Sequence, residues 1–269
     1  MSSRDETYTH GHHDSVLRSH RWRTAENSAA YLLPSLRPGL RLLDIGCGPG
    51  TITVDFARLL APGEVVGLDR EETPLVEARA LAPELENLSF VTGNVYALDF
   101  EDASFDIVHA HQVLQHLVDP VAALAEMARV CKPGGVVAAR DVDFATMTWY
   151  PGEPVLDRWL ELYHAVARAN DAEPDGGRHL VAWAHKAGLA DLAASASAWC
   201  FATPREREWW GGLWAERTTS SVFADQAIAY GLATRETLEE IAGGFRRWAE
   251  NGDGWFAVLN GEILCSRPE

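Results

Sequence analysis

The chain has 269 residues, 47% of them hydrophobic, which is ample for one large core or two small ones. Its 39 acids against 23 lysines and arginines leave a net charge of −16, a surface sign that repels phosphate backbones and argues against DNA or RNA as a partner. No apolar run reaches the length of a membrane span, and the opening MSSRDETYTHGHHDS has no basic segment leading into an apolar one, so the expectation is no membrane association and a cytoplasmic location.

In chain order, residues 1–38 read as a helical flap: a polar, His-rich start, then Thr24 capping a helix with Ala29, Ala30, Leu32, Leu33 and Leu36 on its apolar side. Residues 39–269 read as one domain. From Leu40 to Asp141 short apolar runs alternate with longer amphipathic stretches, the pattern of strands and helices taking turns in a parallel sheet. Strands are predicted at 40–45, 64–69, 88–92, 105–111 and 135–141, and helices at 51–60, 72–82 and 120–130, with Lys132-Pro-Gly-Gly135 as the turn before the fifth strand. Right-handed crossovers would wind these helices onto both faces of the sheet.

Beyond Asp141 the rhythm changes, and helical insertions are expected at about 144–175 and 204–252. Val155, Leu156, Trp159, Leu160, Tyr163, Val166 and Ala167 keep helical spacing in the first. A helix follows near 178–186 and a strand at 196–202. Thr203-Pro-Arg-Glu206 is a capping box that opens the second insertion, where Leu238, Ile241, Phe245 and Trp248 mark a further helix. The final strand is predicted at 255–266, pairing with 196–202 across the insertion between them. Cys47, Cys131, Cys200 and Cys265 are scattered without close pairing and read as reduced thiols.

Three alternating glycines, Gly46, Gly48 and Gly50, stand where the first strand turns into the first helix. An open parallel sheet receives a ligand at this place, beyond its strand ends. Asp69 closes the second strand about 20 residues further on, suited to accept the hydroxyls of a ribose. A nicotinamide dinucleotide would also satisfy that geometry. Against it, the loop is GxGxG, and Asp44 adds negative charge where a pyrophosphate would lie, which suits a cation.

LLDIGCGPGT at 42–51, GLD at 67–69, GNVYAL at 93–98, FDIVHAHQVLQHL at 105–117 and RVCKPGG at 129–135 together resemble the class I S-adenosylmethionine-dependent methyltransferases. The likeness is greatest to the small-molecule group that includes ubiquinone and menaquinone biosynthesis enzymes. It implies a doubly wound α/β fold, Rossmann-like, with a mostly parallel seven-stranded sheet, an antiparallel last pair and helical lid insertions. It also implies S-adenosyl-L-methionine as cofactor and S-adenosyl-L-homocysteine as product. Asp44, Gly46, Cys47, Gly48 and Gly50 would then face the cofactor's amino-acid part and sugar, Asp69 its ribose hydroxyls and Arg70 a face of the adenine. Asn94 stands where the family usually has aspartate, and its carbonyl would take the adenine amino group beside the Val95 amide. His111 and Gln112 would fall beside the transferred methyl.

Such a transfer needs positioning more than machinery, and a base only for a hydroxyl, protonated amine or acidic carbon acceptor. His111, His116 and His13 are the candidate catalytic residues; His109 reads as packing, and Asp141 and Asp143 end the fifth strand at the same mouth, where an acid orients an acceptor or is merely solvated. The cluster Tyr8, His10, His12, His13 and His20 lacks ligand spacing for a metal, and reads either as a flap that closes over the site, with Arg23, or as a frayed terminus. Ten tryptophans, most of them outside the parallel core, suggest an aromatic-walled cavity for a small aromatic or apolar acceptor, with O-methylation ahead of N- or C-methylation. Open alternatives are a macromolecular methyltransferase, a cyclase of this fold and a binding protein. Aromatics exposed on the inserted helices are compatible with a homodimer.

Overall fold

The computed structural model describes Thr9 and residues 14–268; Tyr8, His10, His12 and His13 lie outside them. Two helices lead in, α1 (Asp14–Arg21) and α2 (Ala25–Ser28). Thr24 and Asn27 cap α2 reciprocally, but the longer helix expected from Thr24 stops at Ser28. Pro34 has no amide to donate, and Leu33–Ser35 forms a single 3-10 turn instead.

The alternating segment then folds as β1 (Leu42–Ile45), α3 (Thr51–Leu60), β2 (Val65–Asp69), α4 (Glu72–Leu81), β3 (Leu88–Thr92), β4 (Phe105–His111), α5 (Pro120–Val130) and β5 (Cys131–Val142). The five strands are parallel in the order β3-β2-β1-β4-β5. Lys132-Pro-Gly-Gly135 is no separate turn. Phe105 pairs with Cys131 and Ile107 with Val136, so these residues bulge from within β5, with Gly134 at φ +71°.

The rest of the chain comprises β6 (Thr148–Tyr150), α6 (Pro154–Ala169), α7 (Gly176–Lys186), β7 (Ala190–Phe201), α8 (Pro204–Ser220), α9 (Val222–Ala229), α10 (Arg235–Glu250) and β8 (Trp255–Ser266). β8 runs antiparallel to three neighbours. Val136–Val142 of β5 occupies one edge, β6 prolongs that edge along Trp255–Ala257, and β7 lies along the other. The sheet therefore has eight strands, not seven; the additional β6 is three residues long and falls inside the first helical insertion. No helix among the described residues is long and apolar enough to cross a membrane.

Side chains alternate across the sheet and so divide its packing. Leu43, Val108, Leu124, Met127 and Leu180 fill one face. Leu32, Leu42, Phe56, Leu60 and Ile107 fill the other. That second face turns polar toward the C-terminal strand ends, where His111, Arg140, Glu262 and Ser195 align across β4, β5, β8 and β7. The inserted helices make a third core around Trp159, whose ring centroid lies 4.5 Å from Trp214 and 5.0 Å from Phe245, both edge-on. Trp159→Ala is expected to cost about 3–5 kcal/mol, seen as a lower urea midpoint.

Candidate functional site

Gly46, Gly48 and Gly50 adopt φ of +64°, +54° and +80° as β1 turns into α3, a region that costs a residue with a Cβ about 1–2 kcal/mol. Their surroundings differ. A Cβ on Gly46 would stand 2.4 Å from Val113 Cγ2, and one on Gly50 2.8 Å from Phe90 Cζ, whereas on Gly48 it would meet nothing nearer than His20 Nδ1 at 3.6 Å. The protein's own packing demands Gly46 and Gly50. Gly48 presents bare backbone to a cavity, and Gly50, expected at the ligand, does not line it.

That cavity measures about 490 Å³ and extends from the turn to the inserted helices. It brings together Asp44, Gly46, Cys47, Gly48, Asp69, Arg70, Asn94, Val95, His111, Gln112 and His116. Asp69 ties two loops: its Oδ2 accepts the Gly48 amide at 2.9 Å and its Oδ1 the Glu71 amide at 3.0 Å. Asp44 departs from the expected open negative charge at the mouth. It is buried, accepting Thr53 Oγ1 at 2.6 Å and lying 2.7 Å from His109 Nδ1. Asn94 Oδ1 already accepts the Tyr96 amide at 3.0 Å. Arg70 is half exposed at the rim, 4.0 Å from Glu71. Burial, with Asp44 and Asp69 nearby, pushes the Cys47 thiol well above its usual range, leaving it an uncharged packing group.

His111 and His116 are poor bases. His111 is 6% exposed, and burial, reinforced by Arg23 and Arg140, pushes its imidazole well below the ordinary range. Burial and Arg23 push His116 down to about 3, and its Nε2 lies 3.0 Å from Gln115 Nε2. Both are neutral at physiological pH, and a base titrating that low has little force for taking a proton. His13 lies outside the described residues. Gln112, at φ +53°, accepts Arg23 Nη2 at 2.6 Å and donates to Asn260 Oδ1 at 3.1 Å, so the N-terminal segment is fastened to the end of β4.

Asp141 and Asp143 do not reach the cavity. Asp143 takes a two-pronged ion pair from Arg178, both contacts 2.6 Å. Asp141 is fully buried beside the Gln115 amide, and desolvation raises it from 3.8 to about 7. Among the described residues no three His, Cys, Asp or Glu side chains are grouped to hold a metal ion.

The far wall holds residues that sequence reasoning did not single out. Trp199 donates from Nε1 to the Asn27 carbonyl at 2.7 Å, with the Arg140 guanidinium 4.7 Å and that of Arg23 5.6 Å from its ring. Arg217 is 5% exposed; it donates to the Ser15 carbonyl at 3.1 Å and Ser19 Oγ at 2.9 Å and sits 4.6 Å over Trp214. Its position on α8 carries no periodicity that distinguishes it from a solvated helix residue.

Gly46→Ala should lose about 2–4 kcal/mol of stability through strained φ and overlap, and Gly48→Ala about 1 kcal/mol, compared by thermal denaturation. Asp141 is held protonated in the fold while the unfolded chain ionises at 3.8, so the stability it contributes is full below that value and lost as pH rises through about 7. Asp141→Asn should flatten the pH dependence of the urea midpoint over that interval.

A methyltransferase-domain family model matches residues 36–196. An uncharacterized methyltransferase of Schizosaccharomyces pombe is 38% identical over 97% of this chain and 97% of its own. A demethylmenaquinone methyltransferase of Staphylococcus aureus is 36% identical over 48% of this chain and 51% of its own. Among solved structures, the YcgJ protein of Bacillus subtilis superposes with a TM-score of 0.59 at 22% identity, covering 96% of this chain and all of that one.

Proposed function

Since the chain belongs to the class I S-adenosylmethionine-dependent methyltransferases, with S-adenosyl-L-methionine as cofactor and S-adenosyl-L-homocysteine as product, we propose that it methylates a small aromatic or otherwise apolar organic molecule, at oxygen before nitrogen or carbon. One observation carries this reading: the cavity that starts at the bare backbone of Gly48 continues between Trp199, Trp209, Trp210, Trp214, Phe144 and Met147.

The residues present fit the cofactor. A side chain at Gly48 would intrude on the cavity, and the acid at the end of β2 lies at the same wall. In this assignment Asp69, a carboxylate with about four acceptor positions, receives the ribose hydroxyls while keeping its amide bonds. Arg70 covers the adenine, and the Val95 amide and Asn94 meet its edge. Gly46, Cys47 and Gly48 face the sugar and amino-acid part, with Asp44 beneath them supplying negative charge. Bound there, the cofactor supplies an electrophilic methyl group. Gln112 and the neutral imidazoles of His111 and His116 line the acceptor side and orient its polar group. Leu17 to Arg23 and α8 supply the cover that would exclude water, with α9 and α10 packed on α8 and α6 packed on them.

The test is to incubate the protein with S-adenosylmethionine and a panel of phenols, quinols, amines, tRNA and protein, and to measure S-adenosylhomocysteine by mass spectrometry. Release with the aromatic hydroxyl compounds is expected. Release only with tRNA or protein, or a cyclised product without it, would replace this reading with a macromolecular methyltransferase or a cyclase. Asp69→Ala should weaken S-adenosylhomocysteine binding about 10–100-fold by calorimetry, the loss of hydrogen bonds to a charged group. Unchanged affinity removes Asp69 from the ribose.

A further inference from the structure

Three strands stand at edges of the sheet, β3, β6 and β7, and they are not finished alike. β3 is five residues long, and Arg79 of α4 donates to its Phe90 carbonyl at 3.3 Å. β6 is three residues long, its Tyr150 carbonyl accepts Trp248 Nε1 at 3.1 Å, and Pro151 follows it. Short length, a cation and a proline are ordinary means of keeping an edge from pairing with another chain. β7 has none of them.

It runs for 12 residues with β8 along one side. Among the described residues no other main-chain hydrogen bond reaches Leu192–Phe201. That stretch holds no charged residue, proline or glycine, in a chain of net charge −16. Asp191 lies before it, at the bulge between Ala190 and Ala193, where Ser266 Oγ donates to its carboxylate at 2.7 Å. Ala193, Ala194, Ser195 and Ala196 are exposed in succession. Successive side chains leave opposite faces, so no helix covers either face there. In an antiparallel ladder alternate residues turn their amide and carbonyl away from the paired neighbour, and here those groups form a bare rim.

Two features select the occupant. A foreign peptide strand gains specificity from pockets for its alternate side chains, and a rim of alanine and serine provides none. A second copy needs no pocket, because antiparallel pairing about a two-fold axis matches the strand with itself. Charge agrees: two copies at −16 repel each other, and an uncharged strip lets their main chains meet without like charges facing across the ladder.

We propose that β7 pairs antiparallel with β7 of a second copy, about a two-fold axis near Ala196, and so joins two eight-stranded sheets into one. The assembly closes at the dimer, since β7 is then used and β3 and β6 are stopped. One strand pair covers less than the roughly 1,000 Å² of a stable interface, so the association is reversible. It is independent of the methyl-transfer reading.

The test is sedimentation velocity of the full chain over a range of about 1 to 100 μM, with amide exchange read by mass spectrometry at both ends. A monomer–dimer equilibrium is expected, and the amides of 192–201 should exchange more slowly in the concentrated sample. Salt should strengthen the dimer by screening repulsion between two negative copies. Ala194→Lys with Ala196→Lys, both at exposed positions, should weaken it at least about 10-fold by opposing like charges, with the thermal midpoint little changed. Ile228→Lys, on the exposed apolar side of α9, should leave it intact. A monomer throughout, open-ended oligomers, a dimer weakened by salt, or one lost in I228K but kept in the lysine pair overturns the proposal. Exchange in the unaltered protein decides even where the lysine pair does not fold: β7 amides unprotected in the dimer overturn it as well.

Discussion

The Asp69 carboxylate, hydrogen-bonded to the amides of Gly48 and Glu71, is the contact on which the geometry of the cavity depends. It joins the end of β2 to the turn after β1, so two loops that each end a parallel strand are held as one wall. Backbone amides accepted by a carboxylate are among the stronger hydrogen bonds a fold can make. The turn can answer that bond only because three successive alternate positions tolerate left-handed φ. Packing then fixes the outer two: Val113 fills the space beside Gly46, and Phe90 with Ala78 the space beside Gly50. The middle glycine is left facing open volume.

Much of this was legible in the sequence where local and tertiary demands agree. Thr51–Leu60, Leu88–Thr92, Phe105–His111, Pro120–Val130 and Trp255–Ser266 form with the bounds their patterns imply, because apolar period, capping residue and breaker point the same way. Asp119 accepting the Ala122 amide ahead of Pro120 is such a case. The first half of β7 was not legible: Ala190 to Ser195 lacks β-branched residues, and pairing with β8 alone makes it a strand. β6 has too few residues to show a period. In the candidate site, the glycine turn and Asp69 announce themselves by spacing, and Gly50 shows the limit of that signal, since spacing does not say which glycine lines the cavity and which packs against Phe90. Arg217 is invisible for a different reason. A helical arginine is ordinarily solvated, and only the meeting of α1, α8 and the aromatic wall buries this one.

Histidine density near a cleft is easily taken for acid–base machinery. Here position outweighs residue type. His109 lies against Asp44 and Phe56, on the buried side of the turn. His111 sits beside Trp199 in the field of Arg23 and Arg140, and His116 is buried in the field of Arg23. One row of the sheet, His111, Arg140, Glu262 and Ser195, sets much of this environment: the Arg140 guanidinium bonds to Glu262 at 3.1 Å and faces Trp199, so its charge is neutralised on one side and presented to the ring on the other. A single ion pair thereby influences both the aromatic wall and the imidazole next to it.

The placement of β8 bears on how the molecule comes together in time. β5, β6 and β7 all precede it in the chain, and it is the strand against which each completes its hydrogen bonding on one edge. During synthesis the parallel half of the sheet has its partners early, while β7, which carries Trp199, waits for residues 255–266 to emerge. The half of the sheet that carries the glycine turn and Asp69 therefore has the means to form on the ribosome before the Trp199 wall exists, and the order of the chain places construction of one end of the cavity ahead of construction of the other.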